Sequence, residues 1–164
     1  MKPTRRISPP GTYFVTTSTQ SGRAILQRDI IAELFVNTLY EYRSQHRFQL
    51  HAFVVMPEHV HLIITPAESL ERAMQFIKGG FSFRLARQLG SQSEVWARGF
   101  TDHRIRDEND FVIHRNYIHL NPVRRHLVER PEQYRFSSAH GSYDLDSFPS
   151  AAKAAEQVSP DRHG

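Results

Sequence analysis

The order of periodicities along the chain predicts an α+β fold of the ferredoxin-like (split βαβ) kind, an antiparallel sheet with two helices on one face and a C-terminal helix on the other. Three observations carry this. Two β-branched and aromatic runs, 12–19 and 48–56, flank a helical stripe, so a helix joins the first two strands. Pro57-Glu58 interrupts the second run and an apolar stretch, 59–65, follows at once, as a tight antiparallel return requires. A second helical stripe, a short strand candidate and a third helix complete the order.

Residues 1–11 are basic and proline-rich and end in Pro9-Pro10-Gly11, an arm ahead of the sheet. Thr12 to Thr19 has the residue types that suit a pleated surface, and Gln20-Ser21-Gly22 ends it. From Asp29 to about His46, Ile30, Ile31, Leu34, Phe35, Leu39 and Tyr42 make one helical stripe with charge opposite. Phe48 to Met56 is the second strand. Ser69 is placed to cap a helix whose stripe runs from Leu70 through Met74, Ile77 and Phe81 to Leu89, with Glu71 in its first turn. Gly79-Gly80 inside that helix cost about 1 kcal/mol each relative to alanine, so either the helix bends there or a neighbour approaches its backbone. Val95 to Phe100 is irregular, and His103 to Arg106 is the last strand candidate. Asp107 opens an acid-rich helix that runs through Tyr117 to about Leu120, where Asn121-Pro122 is expected to end it, with a further short turn over Val123 to Val128. The domain is expected to span 1–140, and 141–164, small and polar without periodicity, to form a flexible C-terminal tail.

Composition bounds the chemistry. The chain has no cysteine, which excludes disulfides and thiolate sites and fits a reducing, cytoplasmic setting. No apolar run approaches the roughly 18 residues that span a bilayer, and the basic start lacks the apolar stretch of a signal peptide. Of 21 basic residues 18 are arginine, and residues 1–140 carry +6 against −2 for the remainder. An arginine-rich body suits phosphate, because the planar guanidinium grips two oxygens at once.

Chemistry-bearing residues fall in two places. On a strand, His59 and His61 share one face while Val60, Leu62 and Ile64 share the other. Two imidazoles side by side are half of a metal site, and they are also what a plain half-exposed strand shows. Tyr117 and Asn121 stand four apart on one face of the helix left to cover the open side of the sheet. Each has a plainer reading, Asn121 as a cap before Pro122 and Tyr117 as a core aromatic.

Met56-Pro57-Glu58-His59-Val60-His61-Leu62 is followed by Trp96-Ala97-Arg98-Gly99-Phe100 with Asp102-His103-Arg104-Ile105-Arg106, and then by Tyr117-Ile118-His119-Leu120-Asn121-Pro122-Val123. In these signatures, their order and their spacing, the chain resembles the REP-associated tyrosine transposases of the HUH single-tyrosine transposase superfamily, over about residues 5–140. It departs at Glu58, where asparagine or aspartate is more usual, which sets an extra acid beside the histidines.

The resemblance implies a metal-dependent single-strand DNA endonuclease and strand transferase acting on palindromic hairpin DNA, in transposition or the processing of repeat palindromes. Tyr117, on a catalytic C-terminal helix, would be the nucleophile, giving a 5′-phosphotyrosine link and a free 3′-hydroxyl. His59, His61 and Asn121 would hold a divalent cation. A phenol with a pKa of about 10 is scarcely ionised at neutral pH, so the reaction needs a Lewis acid at the phosphate. Storing bond energy in the phosphotyrosine removes any need for ATP. Two imidazoles alone suit zinc or manganese, amide and phosphate oxygens draw toward magnesium or manganese, and the resemblance favours Mg²⁺ or Mn²⁺. It also implies a bacterial, nucleoid-associated protein, monomer or homodimer.

Single-stranded or hairpin DNA would draw on Arg5 and Arg6 of the arm, on Lys78, Arg84 and Arg87 of the second helix, and on Arg98, Arg104, Arg106, Arg124 and Arg125. Two rivals stand beside this reading. A ferredoxin-like sheet also serves non-catalytic nucleic-acid-binding proteins, although the paired aromatic strand motifs of the RNA-recognition fold are missing here. A hydrolase that activates water would need a general base, for which Glu58 is the nearby candidate.

Overall fold

β1 (Tyr13–Ser18), β2 (Phe48–Val55), β3 (His59–Pro66) and β4 (Thr101–Arg104) form one antiparallel sheet in the order β2-β3-β1-β4 in the computed structural model, which describes residues 7–149. With α1 (Asp29–Ser44), α2 (Leu70–Leu89) and α3 (Glu108–Arg124) the order is the split βαβ arrangement that the sequence predicts, with α3 appended.

The two sheet faces carry different cores. Tyr13, Val15, Val60, Leu62 and Ile64 join Phe35 and Leu39 of α1 and Met74, Ile77 and Phe81 of α2 in the larger one. On the other face Val54, Met56 and Ile63 pack with Ile105 and with Phe111 and Ile118 of α3. Burying each large apolar side chain stabilises the fold by roughly 1.5–3 kcal/mol. β2 serves both cores through a bulge between Leu50 and Ala52. The extra residue, His51, resets the alternation, so Phe53 and Val55 stay on the α1–α2 face with Leu50 while Ala52 and Val54 turn toward α3.

Helix ends follow their chemistry. Ser69 Oγ accepts from Arg72 N at 3.1 Å, and Asp107 Oδ1 accepts from Asp110 N at 2.8 Å; such caps contribute about 1 kcal/mol each. α2 is continuous through Gly79-Gly80. A Cβ on Gly80 would stand 2.6 Å from Cε2 of Tyr42, whereas one on Gly79 would meet nothing within 4 Å. Close approach, and not a bend, accounts for Gly80, while nothing in the packing calls for glycine at position 79.

Two element boundaries differ from expectation. The last strand covers Thr101–Arg104 and not 103–106, because its pairing with β1 stops at Tyr13↔Arg104 and Ile105 turns into the smaller core. α3 continues through Asn121-Pro122 to Arg124. Pro122 stands inside the helix, where it gives up one intrahelical bond to the carbonyl four residues back, and both residues are buried. After Arg124, Arg125 N and His126 N bond back to Asn121 O and Val123 O, in place of a separate helical turn over 123–128.

The expected tail begins, in its described part, as a strap along the outer edge of β2. Asp146 accepts from Leu50 N at 2.8 Å and from Arg43 at 3.0 Å, and its own N–H reaches Leu50 O. Phe148 stacks on Phe111 with centroids 4.7 Å apart. These bonds satisfy edge groups that would otherwise face solvent. The rest of the expected tail, 150–164, and Arg5 and Arg6 of the arm lie outside the described residues.

Candidate active site

β3 carries His59 and His61 on the α3 side of the sheet with ring centroids 4.7 Å apart, and the Tyr117 ring of α3 lies 5.4 Å from that of His61. Phe14 of β1 backs the group, stacked on His61 at 5.4 Å and edge-on to Tyr117 at 5.9 Å. Val60, Leu62 and Ile64 point into the opposite core, as strand alternation requires.

Each ring has a partner oxygen at Nδ1. His61 Nδ1 lies 2.8 Å from Oγ1 of Thr16, its register partner on β1, and His59 Nδ1 lies 3.0 Å from Oε1 of Glu58. With both Nδ1–H groups donating to these oxygens, the Nε2 lone pairs are left for a ligand, the usual arrangement of metal-binding histidines. Glu58 Oε1 also accepts from Arg125 Nη2 at 2.6 Å, which ties the end of α3 to the start of β3.

Electrostatics agree with the geometry. Burial, and then the neighbouring His59, push the His61 imidazole down to about 3. Burial lowers His59 too, against the opposing pull of Glu58. Burial works against ionising Glu58, but its bonds to Arg125 and His59 hold it below the ordinary carboxylate value. At neutral pH the site therefore presents two neutral imidazoles and one ionised, doubly engaged carboxylate.

Tyr117 is 40% exposed, with the Arg124 guanidinium 5.1 Å from its ring centroid. One turn on, the amide oxygen of Asn121 is buried with no hydrogen-bond partner among the described residues. An orphaned acceptor of this kind costs roughly 1–3 kcal/mol, and a cation would relieve it. Two imidazole nitrogens and an amide oxygen make a donor set that a divalent cation can take.

The basic candidates divide. Arg124 and Arg125 lie at the tyrosine end of α3. Arg104 donates to Pro10 O at 2.7 Å, and Arg106 is largely exposed beside Asp110. Lys78, Arg84 and Arg87 belong to α2, on the opposite side of the sheet. Lys78 Nζ donates to Ala97 O at 3.1 Å and Gly99 O at 2.7 Å, and Arg84 reaches Thr38. Arg98 lines an open cleft with Gln20, Ser82 and Trp96.

The sequence also leaves a third cluster unmarked. His103, Asp110 and His114 bring ligand atoms within 4.8 Å of one another, a His/Asp/His group with the donor set to hold a metal ion. Asp110 and His114 stand four apart on α3, a spacing that could have marked them as a pair; the β4–α3 juxtaposition that adds His103 has no signal in the sequence.

A family model, "Transposase IS200 like", matches residues 11–121. The chain belongs to this family of DNA-processing enzymes, as the resemblance in its signatures implied. It is 27% identical over 144 residues to a REP-associated tyrosine transposase of Escherichia coli K12, covering 83% of this chain and 84% of that one. It is 28% identical over 152 residues to a candidate REP-associated tyrosine transposase of Haemophilus influenzae, with 85% of each chain covered. A solved structure of a REP-associated tyrosine transposase bound to a REP hairpin superposes with a TM-score of 0.69 at 25% identity, over 90% of this chain and 91% of that one.

Proposed function

We propose that the chain is a single-strand DNA endonuclease and strand transferase acting on hairpin DNA, dependent on Mg²⁺ or Mn²⁺, with Tyr117 as nucleophile. The observation that supports it best is the meeting of a half-exposed tyrosine with a pair of neutral imidazoles whose hydrogen bonds, among the described residues, run through Nδ1. The hairpin in the solved relative supports the substrate class.

His59 and His61 through Nε2, and Asn121 through its orphaned oxygen, would hold the cation, which when bound supplies the Lewis acidity that draws charge from the scissile phosphate. Tyr117 Oη attacks phosphorus and loses its proton to solvent. The P–O3′ bond breaks, its electron pair leaves with O3′, and O3′ takes up a proton. The products are a 5′-phosphotyrosine and a free 3′-hydroxyl. A 3′-hydroxyl attacking the same phosphorus reverses the step, releases Tyr117 and rejoins strands. Arg124, over the Tyr117 ring, would meet the phosphate charge. Glu58 is committed to Arg125 and His59, which leaves a water-activating hydrolase without its base.

Incubating the protein with a 3′-end-labelled hairpin oligonucleotide and Mn²⁺, then mapping the adduct by peptide mass spectrometry, tests this. The label is expected on the peptide containing Tyr117. Cleavage with no protein-linked label overturns the proposal.

A further inference from the structure

We propose that His103, Asp110 and His114 form a second divalent-metal site, of zinc or manganese class, that ties β4 to the first turns of α3. It stands apart from the reading of His59, His61 and Tyr117 and does not depend on it.

The donor atoms already converge. His103 Nε2 is 2.9 Å from Asp110 Oδ2, and His114 Nδ1 is 3.1 Å from Asp110 Oδ1. The two rings stack with centroids 4.5 Å apart and planes within 18°, so that each presents a nitrogen to the same carboxylate. With metal–ligand bonds of about 2.0–2.2 Å, neighbouring ligand atoms lie about 3.0–3.5 Å apart. Both imidazole–carboxylate distances already match that spacing, and all three ligand atoms lie within 4.8 Å of one another, so drawing the group together around an ion completes the set.

The supports and the exits are in place as well. Asp110 Oδ2 accepts from Arg106 N at 2.9 Å, a bond that can persist as an outer contact orienting the carboxylate. His103 is 36% exposed and His114 22%, against 13% for Asp110, so the group opens to solvent on one side. An ion can enter there and complete its shell with water. The rings now use the facing nitrogens as hydrogen-bond partners, and His114 Nδ1 also lies 2.8 Å from Asp110 O. Shifting each proton to the other ring nitrogen frees the lone pair without changing the charge of either ring. Two imidazoles and one carboxylate select borderline cations such as Zn²⁺, Mn²⁺ or Co²⁺ over Ca²⁺.

Phe14 separates this group from the other histidines, lying 5.0 Å from His114 and 5.4 Å from His61. β4 is a four-residue edge strand that, among the described residues, pairs only with β1. A metal across His103 and His114 would anchor it to the helix that presents Tyr117, one turn further on. The site is therefore a positioning device for that helix.

Co²⁺ titrated into the chelator-stripped full chain, followed by visible absorption and by metal analysis after dialysis, tests the proposal. The His59→Ala/His61→Ala variant is expected to retain one Co²⁺ per chain. Adding His103→Gln or His114→Gln to that background should weaken this binding at least about tenfold. Circular dichroism reports whether each variant folds, and His103→Gln, on the more exposed ring, keeps the test open if His114→Gln does not. Failure of the His59→Ala/His61→Ala variant to bind Co²⁺, or binding unchanged by His103→Gln, overturns the site.

Discussion

Glu58 Oε1 sits 3.0 Å from His59 Nδ1 and 2.6 Å from Arg125 Nη2, so one carboxylate fixes the tautomer of a β3 histidine and the end of α3 together. The acid that departs from the usual signature thus lies behind the ring, on the side away from Nε2. Outer partners of this kind change metal affinity by about 10–100-fold.

Glu58→Gln should raise the Mn²⁺ concentration needed for half-maximal hairpin cleavage within that range, with much of the rate restored at saturating metal. A cleavage rate measured across Mn²⁺ concentrations decides this. An unchanged half-saturation point would remove Glu58 from the account of His59.

Adjacent glycines in α2 should respond in opposite directions. Gly80→Ala drives a methyl into the Tyr42 ring and should cost about 1–3 kcal/mol in urea unfolding. Gly79→Ala meets open space on a helical backbone and should add up to about 1 kcal/mol. Equal effects would mean that Tyr42 does not set the requirement.

His119, 2.7 Å from Ser138 Oγ, is pushed down to about 4, chiefly by burial and then by Arg115. The unfolded ring titrates near 6.5. Between those values the unfolded chain binds the extra proton, so stability is fully present above 6.5 and falls as the pH drops toward 4. Replacing His119 by glutamine should flatten the loss of unfolding free energy between pH 7 and pH 5 by about 2 kcal/mol. Parallel pH profiles for the two proteins would place the acid sensitivity elsewhere.

Strand parity made much of this legible in the sequence. A β3 with apolar residues on one face and imidazoles on the other has one consistent orientation, and that alone put His59 and His61 on the side left for α3. Signatures, and not parity, singled out Tyr117 and Asn121 from their plainer readings. What the sequence hid depends on contacts between distant segments. Asp146 looks like any residue of a polar stretch until β2 offers Leu50 N and α1 offers Arg43. Asn121-Pro122 reads as a helix stop because the local rule ignores burial at the end of α3. His103 joined Asp110 and His114 only once β4 was placed beside α3.

The central claim is that Tyr117 Oη becomes covalently joined to DNA. With a labelled hairpin and Mn²⁺, the unaltered chain should yield a denaturation-resistant protein–DNA adduct, and Tyr117→Phe, which keeps the ring packing on His61 and Phe14, should yield none while still binding the hairpin. An adduct that persists in Tyr117→Phe would contradict the account.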